Sequence, residues 1–153
     1  MTRTIFITGA NSGVGLACTK LFLSKGWNVV ATARAPASST DLQDLQGANE
    51  ARLFLHELDL TISETFKSAI DAGVSRFNKI DVLLNNAGYG QPGMLELLSM
   101  EDYRRQFEVN VFGNYILPPQ LACFDTSLQV PSPSQRHSSH TSTRQEIRPL
   151  LPW

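Results

Sequence analysis

The sequence of 153 residues predicts an α/β protein with an incomplete, doubly wound parallel sheet of about four strands, followed by a C-terminal tail. Short apolar segments alternate along the chain with longer segments in which apolar residues recur at helical spacing. The apolar segments are nearly continuous, which is typical of strands covered on both faces of a sheet. A glycine-rich turn stands between the first strand and the first helix, where such sheets commonly bind ligands.

Strands and helices are predicted in alternating order. The strands cover residues 4–7, 28–32, 52–58 and 80–84. The helices cover residues 14–25, a weaker segment around 41–45, residues 63–77 and residues 99–116. On the last two helices, apolar or aromatic residues lie three or four positions apart: Phe66, Ile70, Val74 and Phe77, then Tyr103, Phe107, Val111 and Tyr115. Such spacing is typical of α-helices.

The composition argues against several classes of protein. Hydrophobic residues make up 42% and charged residues 18%, as in ordinary globular chains. The formal net charge of -1 argues against binding nucleic acid or an anionic membrane through bulk charge. No segment has the length of a membrane span or the pattern of a signal peptide, so we expect a cytoplasmic protein. Cys18 and Cys123 are too far apart to form a metal or redox motif.

The composition changes near residue 118, which divides the chain into a predicted folded body at 1–117 and a tail at 118–153. All ten glycines lie at or before Gly113, and six of the eight prolines lie at or after Pro118. The tail is rich in serine and proline and lacks helical or strand periodicity, so we expect it to be disordered. His137 and His140 lie in this tail without a Cys or acidic residue nearby, so no metal site is predicted there.

The glycine-rich turn has the pattern Gly-x-x-x-Gly-x-Gly, formed by Gly9, Gly13 and Gly15. Glycine allows a tight turn, close approach of the backbone to a pyrophosphate, and close packing of the helix on the strand. The N-terminus of the following helix attracts phosphate groups. The alternative is a turn that uses glycine only for its conformation. The position between a strand and a helix favours a dinucleotide site.

The residue after the second strand indicates which dinucleotide is preferred. Sites for NAD usually place an acidic residue about 20 residues after the glycines, to bind the ribose. The first acidic residue here is Asp41, and Arg34 occupies the equivalent position. A guanidinium can bind a ribose 2′-phosphate through two hydrogen bonds, so the sequence favours NADP over NAD. The alternative is that Arg34 is an ordinary solvated surface residue.

Four motifs in order resemble the short-chain dehydrogenase/reductase family. They are Thr8-Gly9-x-x-x-Gly13-x-Gly15, Asp59-Leu60, Asn85-Asn86-Ala87-Gly88, and Asn110 in Asn110-Val111-Phe112-Gly113. The order and spacing of the four are specific to the family in a way that no single motif is. The resemblance covers about residues 2–117, the first half of a typical member, and implies a Rossmann-type NADP-binding half-domain.

The resemblance implies a role for each matching residue. The pyrophosphate would be held by Gly9, Ser12, Gly13, Val14 and Gly15, and the ribose phosphate would be bound by Arg34. The adenine would lie between Asp59 and Leu60, and the floor of the site would be formed by Asn86, Ala87 and Gly88. Asn110 would be the catalytic asparagine. Simpler roles remain open for some of them. Asp59 could cap the next helix, the two asparagines before Ala87 could form a turn, and Asn110 could be a buried helix residue satisfied by backbone.

Part of the catalytic machinery of the family has no counterpart in these 153 residues. Family members transfer a hydride between a nicotinamide and a carbonyl or alcohol, with a proton from a Tyr-x-x-x-Lys pair assisted by a serine. The last lysine is Lys79 and the last tyrosine is Tyr115. Ser138 and Ser139 stand near the expected position of the serine, but no strand precedes them and no tyrosine follows. We therefore expect the chain to be inactive by itself.

These observations lead to a hypothesis of a truncated or frame-shifted family member, with an unrelated tail beginning near residues 117–121. Its fourth strand would then be an exposed apolar edge, prone to aggregation. Two other functions remain open. The chain could be a non-catalytic dinucleotide-binding fragment, or it could associate with itself or with a full-length family member through the helix at 99–116. The sequence does not indicate a substrate.

Overall fold

The structure is a computed structural model that describes residues 2–92, 96 and 98–115. Its strands are β1 Thr4–Thr8, β2 Asn28–Ala33, β3 Leu53–Glu57 and β4 Val82–Leu84. Its α-helices are α1 Gly13–Ser24, α2 Thr40–Ala48, α3 Ser63–Phe77 and α4 Met100–Phe107. A short 3₁₀ turn covers Pro36–Ser38, and a π-helical segment covers Glu108–Gly113. The predicted disordered tail at 118–153, with Cys123, His137, Ser138, Ser139 and His140, lies outside the described residues.

The strands form one parallel sheet in the order β3-β2-β1-β4, which confirms the predicted fold class. β1 lies between β2 and β4, with Ile5 paired to Val29 on one side and to Val82 on the other. The chain runs outward from β1 to β3 and then crosses back to place β4 on the opposite side of β1. The strand order therefore reverses between β1 and β4, and the carboxyl ends of these strands form the crevice where open α/β sheets bind ligands.

Two apolar layers cover the two faces of the sheet, because successive strand residues point to opposite sides. One layer packs α1 and α2 on the sheet and contains the buried residues Ile5, Ile7, Ala10, Leu23, Val29, Ala31, Leu42 and Leu53. The other packs α3 and the π-helical segment on the sheet and contains Phe6, Val30, Leu58, Leu60, Phe66, Ala69 and Ile70. All five residues of β1 are buried, so this strand is the centre of the core.

β4 is shorter than the predicted strand at 80–84 because Asp81 bonds to the start of β1 through its side chain as well as its backbone. Its carboxylate accepts a hydrogen bond from the backbone N–H of Thr4 at 2.7 Å and from the Lys79 ammonium at 2.7 Å. Its own N–H donates to the Thr4 carbonyl oxygen at 2.8 Å. These bonds fix the entry of β4 beside β1. Among the described residues, β4 pairs only with β1.

The prediction of a single regular helix over 99–116 is wrong in its second half. α4 begins at a capping box, in which Ser99 accepts a hydrogen bond from the N–H of Asp102 at 3.2 Å and Asp102 accepts one from the N–H of Ser99 at 3.0 Å. After Phe107 the helix widens into the π-helical segment. There the side-chain amide of Asn114 donates to the carbonyl oxygens of Val109 and Asn110, at 3.4 and 3.1 Å. Such widened turns are rare and commonly occur at functional sites.

Candidate functional site

A cleft of about 620 Å³ opens at the carboxyl ends of the four strands. The loops that follow β1, β2, β3 and β4 all contribute to its walls, and α4 with the start of the π-helical segment closes one side. Ten of the eleven residues predicted to bind a cofactor line this cleft: Gly9, Ser12, Gly13, Val14, Arg34, Asp59, Leu60, Asn86, Ala87 and Gly88. The exception is Gly15, which is buried below the turn.

The glycines of the turn meet two separate requirements. Gly9 and Gly13 have φ angles of 65° and 52°, in the left-handed region that favours glycine. A Cβ atom on Gly9 would lie 2.9 Å from the Cα of Ala87, and one on Gly15 would overlap the carbonyl oxygen of Gly9. A Cβ atom on Gly13 would meet nothing within 4 Å, because this residue faces the open cleft. Gly9 and Gly15 thus allow close packing, while Gly13 leaves its backbone accessible.

The N-terminus of α1 faces the cleft without a counter-charge from its own first turn. Ser12, the N-cap residue, makes no side-chain cap bond, and the first turn contains no acidic residue. The first helical hydrogen bond runs from the N–H of Leu16 to the carbonyl oxygen of Ser12, at 3.1 Å. The preceding N–H groups of α1 lack helical acceptors and carry the positive end of the helix dipole. The open space at Gly13 and these N–H groups fit an anionic group such as a pyrophosphate.

A hydrogen-bonded clamp joins the end of β1 to the loop after β4. The hydroxyl of Thr8 accepts hydrogen bonds from the N–H groups of Asn86 and Ala87, at 3.0 and 2.9 Å. The side-chain amide of Asn86 donates to the carbonyl oxygens of Thr8 and Gly9, at 2.9 and 3.1 Å. Asn86 is therefore more than a turn former, because its side chain holds the floor of the cleft against the glycine turn. Asn85 donates instead to the carbonyl oxygen of Asn114, at 3.3 Å.

Asp59 lies in the cleft wall and does not cap α3, whose N-cap residue is Ile62. Its carboxylate accepts hydrogen bonds from the N–H and the hydroxyl of Thr61, at 2.8 and 2.7 Å. Partial burial raises the pKa of Asp59, but the two bonds from Thr61 and the positive charges of Arg34 and Arg105 outweigh it. The pKa of Asp59 therefore lies below its usual value, and the carboxylate is ionised at neutral pH.

Arg34 directly follows β2 and is exposed at the cleft. Its guanidinium makes no hydrogen bond or ion pair to any of the residues that the structure describes. The donor groups of Arg34 are thus available to an anionic ligand, whereas a guanidinium held by a carboxylate would have part of its fork occupied.

Asn110 lies in the π-helical segment behind the cleft wall. Its side chain binds the backbone of Tyr89 twice, accepting from the N–H at 3.0 Å and donating to the carbonyl oxygen at 2.7 Å. A Cβ atom on Gly88 would lie 3.1 Å from the side-chain oxygen of Asn110, so this glycine gives the asparagine room. The amide of Asn110 is satisfied by backbone, but by the loop after β4 and not by its own helix.

Several other residues of the cleft could not be identified from the sequence. Asp102, Arg105 and Val109 line it from α4 and the π-helical segment. Their spacing of three and four residues, on a segment predicted to be helical, placed them on one face, but nothing in the sequence showed that this face meets the cleft. Asn114, which donates to the carbonyl oxygen of Ala87 at 3.3 Å, was likewise not predicted.

Comparison with known proteins gives a consistent family match. Residues 3–122 match the family model described as short chain dehydrogenase. Oxidoreductase BOA17 of Botryotinia fuckeliana is 38% identical over 113 residues, which cover 74% of this chain and 40% of the relative. The chain thus spans well under two thirds of the length of this curated relative.

Two solved structures share the fold and differ in the nucleotide that they contain. One is a 3-ketoacyl-(acyl-carrier-protein) reductase from Brucella melitensis in complex with NADH, with a TM-score of 0.72 and 32% identity. The match covers 80% of this chain and 50% of the reductase. The other is an alcohol dehydrogenase from Thermococcus sibiricus in complex with 5-hydroxy-NADP, with a TM-score of 0.73 and 27% identity. That match covers 80% of this chain and 53% of the dehydrogenase.

In the part of the chain that the structure describes, no helix has both the length and the apolar character needed to cross a membrane. The described residues also contain no group of three or more His, Cys, Asp or Glu side chains placed to hold a metal ion.

The close packing at Gly15 leads to a prediction for the glycine turn. We expect Gly15→Ala to lower the free energy of unfolding by about 3 kcal/mol, because its methyl group would be forced against backbone at the end of β1. Gly47→Ala is a matched control on α2, where a Cβ atom meets nothing within 4 Å. We expect this control to raise the stability by about 0.5 kcal/mol. Urea denaturation measures both, and equal stability of the two variants would contradict the packing argument.

Proposed function

Since this chain belongs to the short-chain dehydrogenase family, we propose that its cleft binds the adenosine and pyrophosphate part of a nicotinamide dinucleotide, with NADP(H) preferred over NAD(H). One observation carries the proposal: the uncapped N-terminus of α1 opens into the same cleft as Arg34 and Asp59. An anion site next to a free guanidinium and an ionised carboxylate suits a ligand that has a pyrophosphate, a second phosphate and a base with an amino group.

The proposed ligand follows the order of the strand ends. The backbone between Gly9 and Gly15 would hold the pyrophosphate, with Ser12, Gly13 and Val14 nearest to it. Asp59 and Leu60 would flank the adenine. Asn86, Ala87 and Gly88 would form the floor, fixed by the clamp to Thr8. Gly15 would act indirectly, because it lets α1 approach β1.

The preference for NADP(H) rests on Arg34. It is exposed, it occupies the position after β2, and its guanidinium has no partner among the described residues. A planar guanidinium can form two parallel, charge-assisted hydrogen bonds with a phosphate, whereas an unphosphorylated ribose offers only neutral hydroxyl groups. The Thermococcus relative contains an NADP-type nucleotide and the Brucella relative contains NADH, so the preference has to be tested on this chain.

The hydride chemistry of the family is a separate part of the proposal. A nicotinamide cofactor supplies or accepts the hydride when it is bound, and the protein supplies orientation and a proton. Of the family's catalytic residues, Asn110 has a counterpart here, and its side chain binds the backbone of Tyr89 behind the cleft. The 153 residues contain no Tyr-x-x-x-Lys pair. We therefore propose that this polypeptide binds the dinucleotide without transferring a hydride by itself, although the family activity is the reduction of carbonyls or the oxidation of alcohols.

Binding and turnover can be measured on the same preparation. We expect adenosine 2′,5′-bisphosphate to bind more tightly than 5′-AMP in isothermal titration calorimetry. With a panel of aldehydes and ketones, we expect no loss of NADPH absorbance above the rate without protein. Failure of both adenosine nucleotides and of NADPH to bind would overturn the proposed function. Oxidation of NADPH that depends on a carbonyl compound would overturn only the claim of inactivity.

The role of Arg34 is tested by removing its charge. We expect Arg34→Gln to weaken binding of adenosine 2′,5′-bisphosphate about tenfold, equivalent to about 1.4 kcal/mol, and to leave 5′-AMP unchanged. The reason is that only the 2′-phosphate requires the guanidinium. A surface arginine without a role in binding would leave the ratio of the two affinities unaltered.

A second candidate function is association with another copy of this chain or with a full-length family member. Five large apolar side chains on α4 and the turns after it are exposed: Met100 by 66%, Phe107 by 54%, Val111 by 48%, Phe112 by 51% and Tyr115 by 78%. Phe107, Val111 and Tyr115 repeat every four residues, so they form a strip along one side of the helix. A contiguous apolar strip on a surface marks a contact with another chain.

Sedimentation velocity tests this association. We expect the wild-type chain to form dimers at micromolar concentrations and Phe107→Glu to shift them toward monomers, because the new charge would be buried at the contact. Ser75→Glu, which adds the same charge at an exposed position of α3, is the control and should leave dimers intact. A monomer at every concentration, alone and when mixed with a full-length member, would exclude this function.

A further inference from the structure

One wall of the cleft is provided by α4, and a second arginine lies in it. Arg105 lines the cleft together with Asp102 and Val109, which are three residues before it and four residues after it. Residues at this spacing share one face of a helix. The neighbouring Arg104 is exposed and does not line the cleft. The capping box at Ser99 fixes the start of α4, and the docking of this helix turns Arg105 toward the cleft.

The two carboxylates near Arg105 are already hydrogen-bonded to other groups. Asp102 accepts from the N–H and the hydroxyl of Ser99, at 3.0 and 2.6 Å. Asp59 accepts from the N–H and the hydroxyl of Thr61, at 2.8 and 2.7 Å. Arg105 makes no hydrogen bond or ion pair to any described residue, as is also the case for Arg34. The cleft thus contains two guanidiniums whose donors are unoccupied.

Arg34 and Arg105 line the same cleft as the Asp59 carboxylate, so both positive charges border the space that a ligand would fill. Partial burial raises the pKa of Asp59, and the bonds from Thr61 followed by the charges of Arg34 and Arg105 lower it. Arg34 approaches from the loop after β2, whereas Arg105 approaches from α4. An anionic ligand group between these elements would be attracted from two walls.

We propose that Arg105 is a second determinant of nucleotide specificity, which together with Arg34 favours a dinucleotide with a phosphate on its adenosine ribose. The inference rests on the proposed function, because it concerns the same site. Arg34 would bind the phosphate directly. Arg105 acts mainly through its charge, so its contribution is smaller and depends on ionic strength.

Two other roles for Arg105 make different predictions. If its guanidinium stacked on the adenine base, its loss would weaken the binding of adenosine 2′,5′-bisphosphate and of 5′-AMP to the same extent, because both nucleotides contain the base. If it only supported α4, near the negative end of the helix dipole, its loss would lower stability, as would the loss of Arg104. The ratio of the two affinities therefore separates a role in phosphate selection from either alternative.

The test compares Arg105→Gln with Arg104→Gln, which removes the same charge from the adjacent position. At low salt, we expect Arg105→Gln to weaken the binding of adenosine 2′,5′-bisphosphate about fivefold and the binding of 5′-AMP less than twofold. The difference should shrink in about 0.5 M salt. Arg104→Gln should change neither affinity, and Arg105→Lys, which keeps the charge, should restore most of the lost binding.

Several results would overturn the inference. They are an equal loss of affinity for both nucleotides in Arg105→Gln, an unchanged ratio of the two affinities, and a similar loss of affinity for the bisphosphate in Arg104→Gln. Thermal melting followed by circular dichroism checks that the variants fold. If Arg105→Gln does not fold, the affinities of Arg105→Lys for the two nucleotides test the inference in its place. A wild-type chain that binds neither nucleotide would overturn the proposed function, whereas selective binding unaffected by Arg105 would overturn only the inference.

Discussion

The cleft depends on the clamp between Thr8 and Asn86. β1 is buried along its whole length, so its last residue has a fixed position from which the glycine turn departs. Thr8 accepts two backbone N–H groups from the loop after β4, and Asn86 returns two hydrogen bonds to the backbone of Thr8 and Gly9. These partly buried groups would lose hydrogen-bond partners if the loops separated, so the clamp favours one arrangement of both loops. The strand ends alone would leave the two loops free to separate.

The glycine turn is constrained by this clamp as well as by its own conformation. Gly15 packs so closely that a Cβ atom there would overlap the carbonyl oxygen of Gly9, which the Asn86 amide binds. The same closeness brings the first turn of α1 against the end of β1 and directs its free N–H groups into the cleft. The turn therefore meets both requirements at once, because Gly9 and Gly15 allow the close packing and Gly13 leaves its backbone accessible.

The parts of the fold and of the site that follow from local sequence could be predicted, and those that depend on packing between distant segments could not. The strands, α1 and α3 were predicted because their apolar spacing is local. The family motifs identified nine residues that line one cleft, and the position after β2 identified Arg34 as the tenth. The widening at Glu108–Gly113 was not predicted, because apolar spacing continues through it while the Asn114 amide binds carbonyl oxygens inside the helix. Arg105 was not predicted, because its position in the cleft depends on how α4 docks.

The distribution of residues around the cleft separates binding from chemistry. The residues that line the cleft come from the loops after four strands, from the start of α1, and from α4 with the π-helical segment, all among the described residues. Asn110 does not line the cleft, because its side chain binds the backbone of Tyr89 from behind and lies next to Gly88. Binding of the adenosine half of a dinucleotide therefore requires no residue of a proton relay. A mutation at Arg34 or Arg105 would change which nucleotide is held, whereas one at Asn110 would alter the shape of the loop after β4.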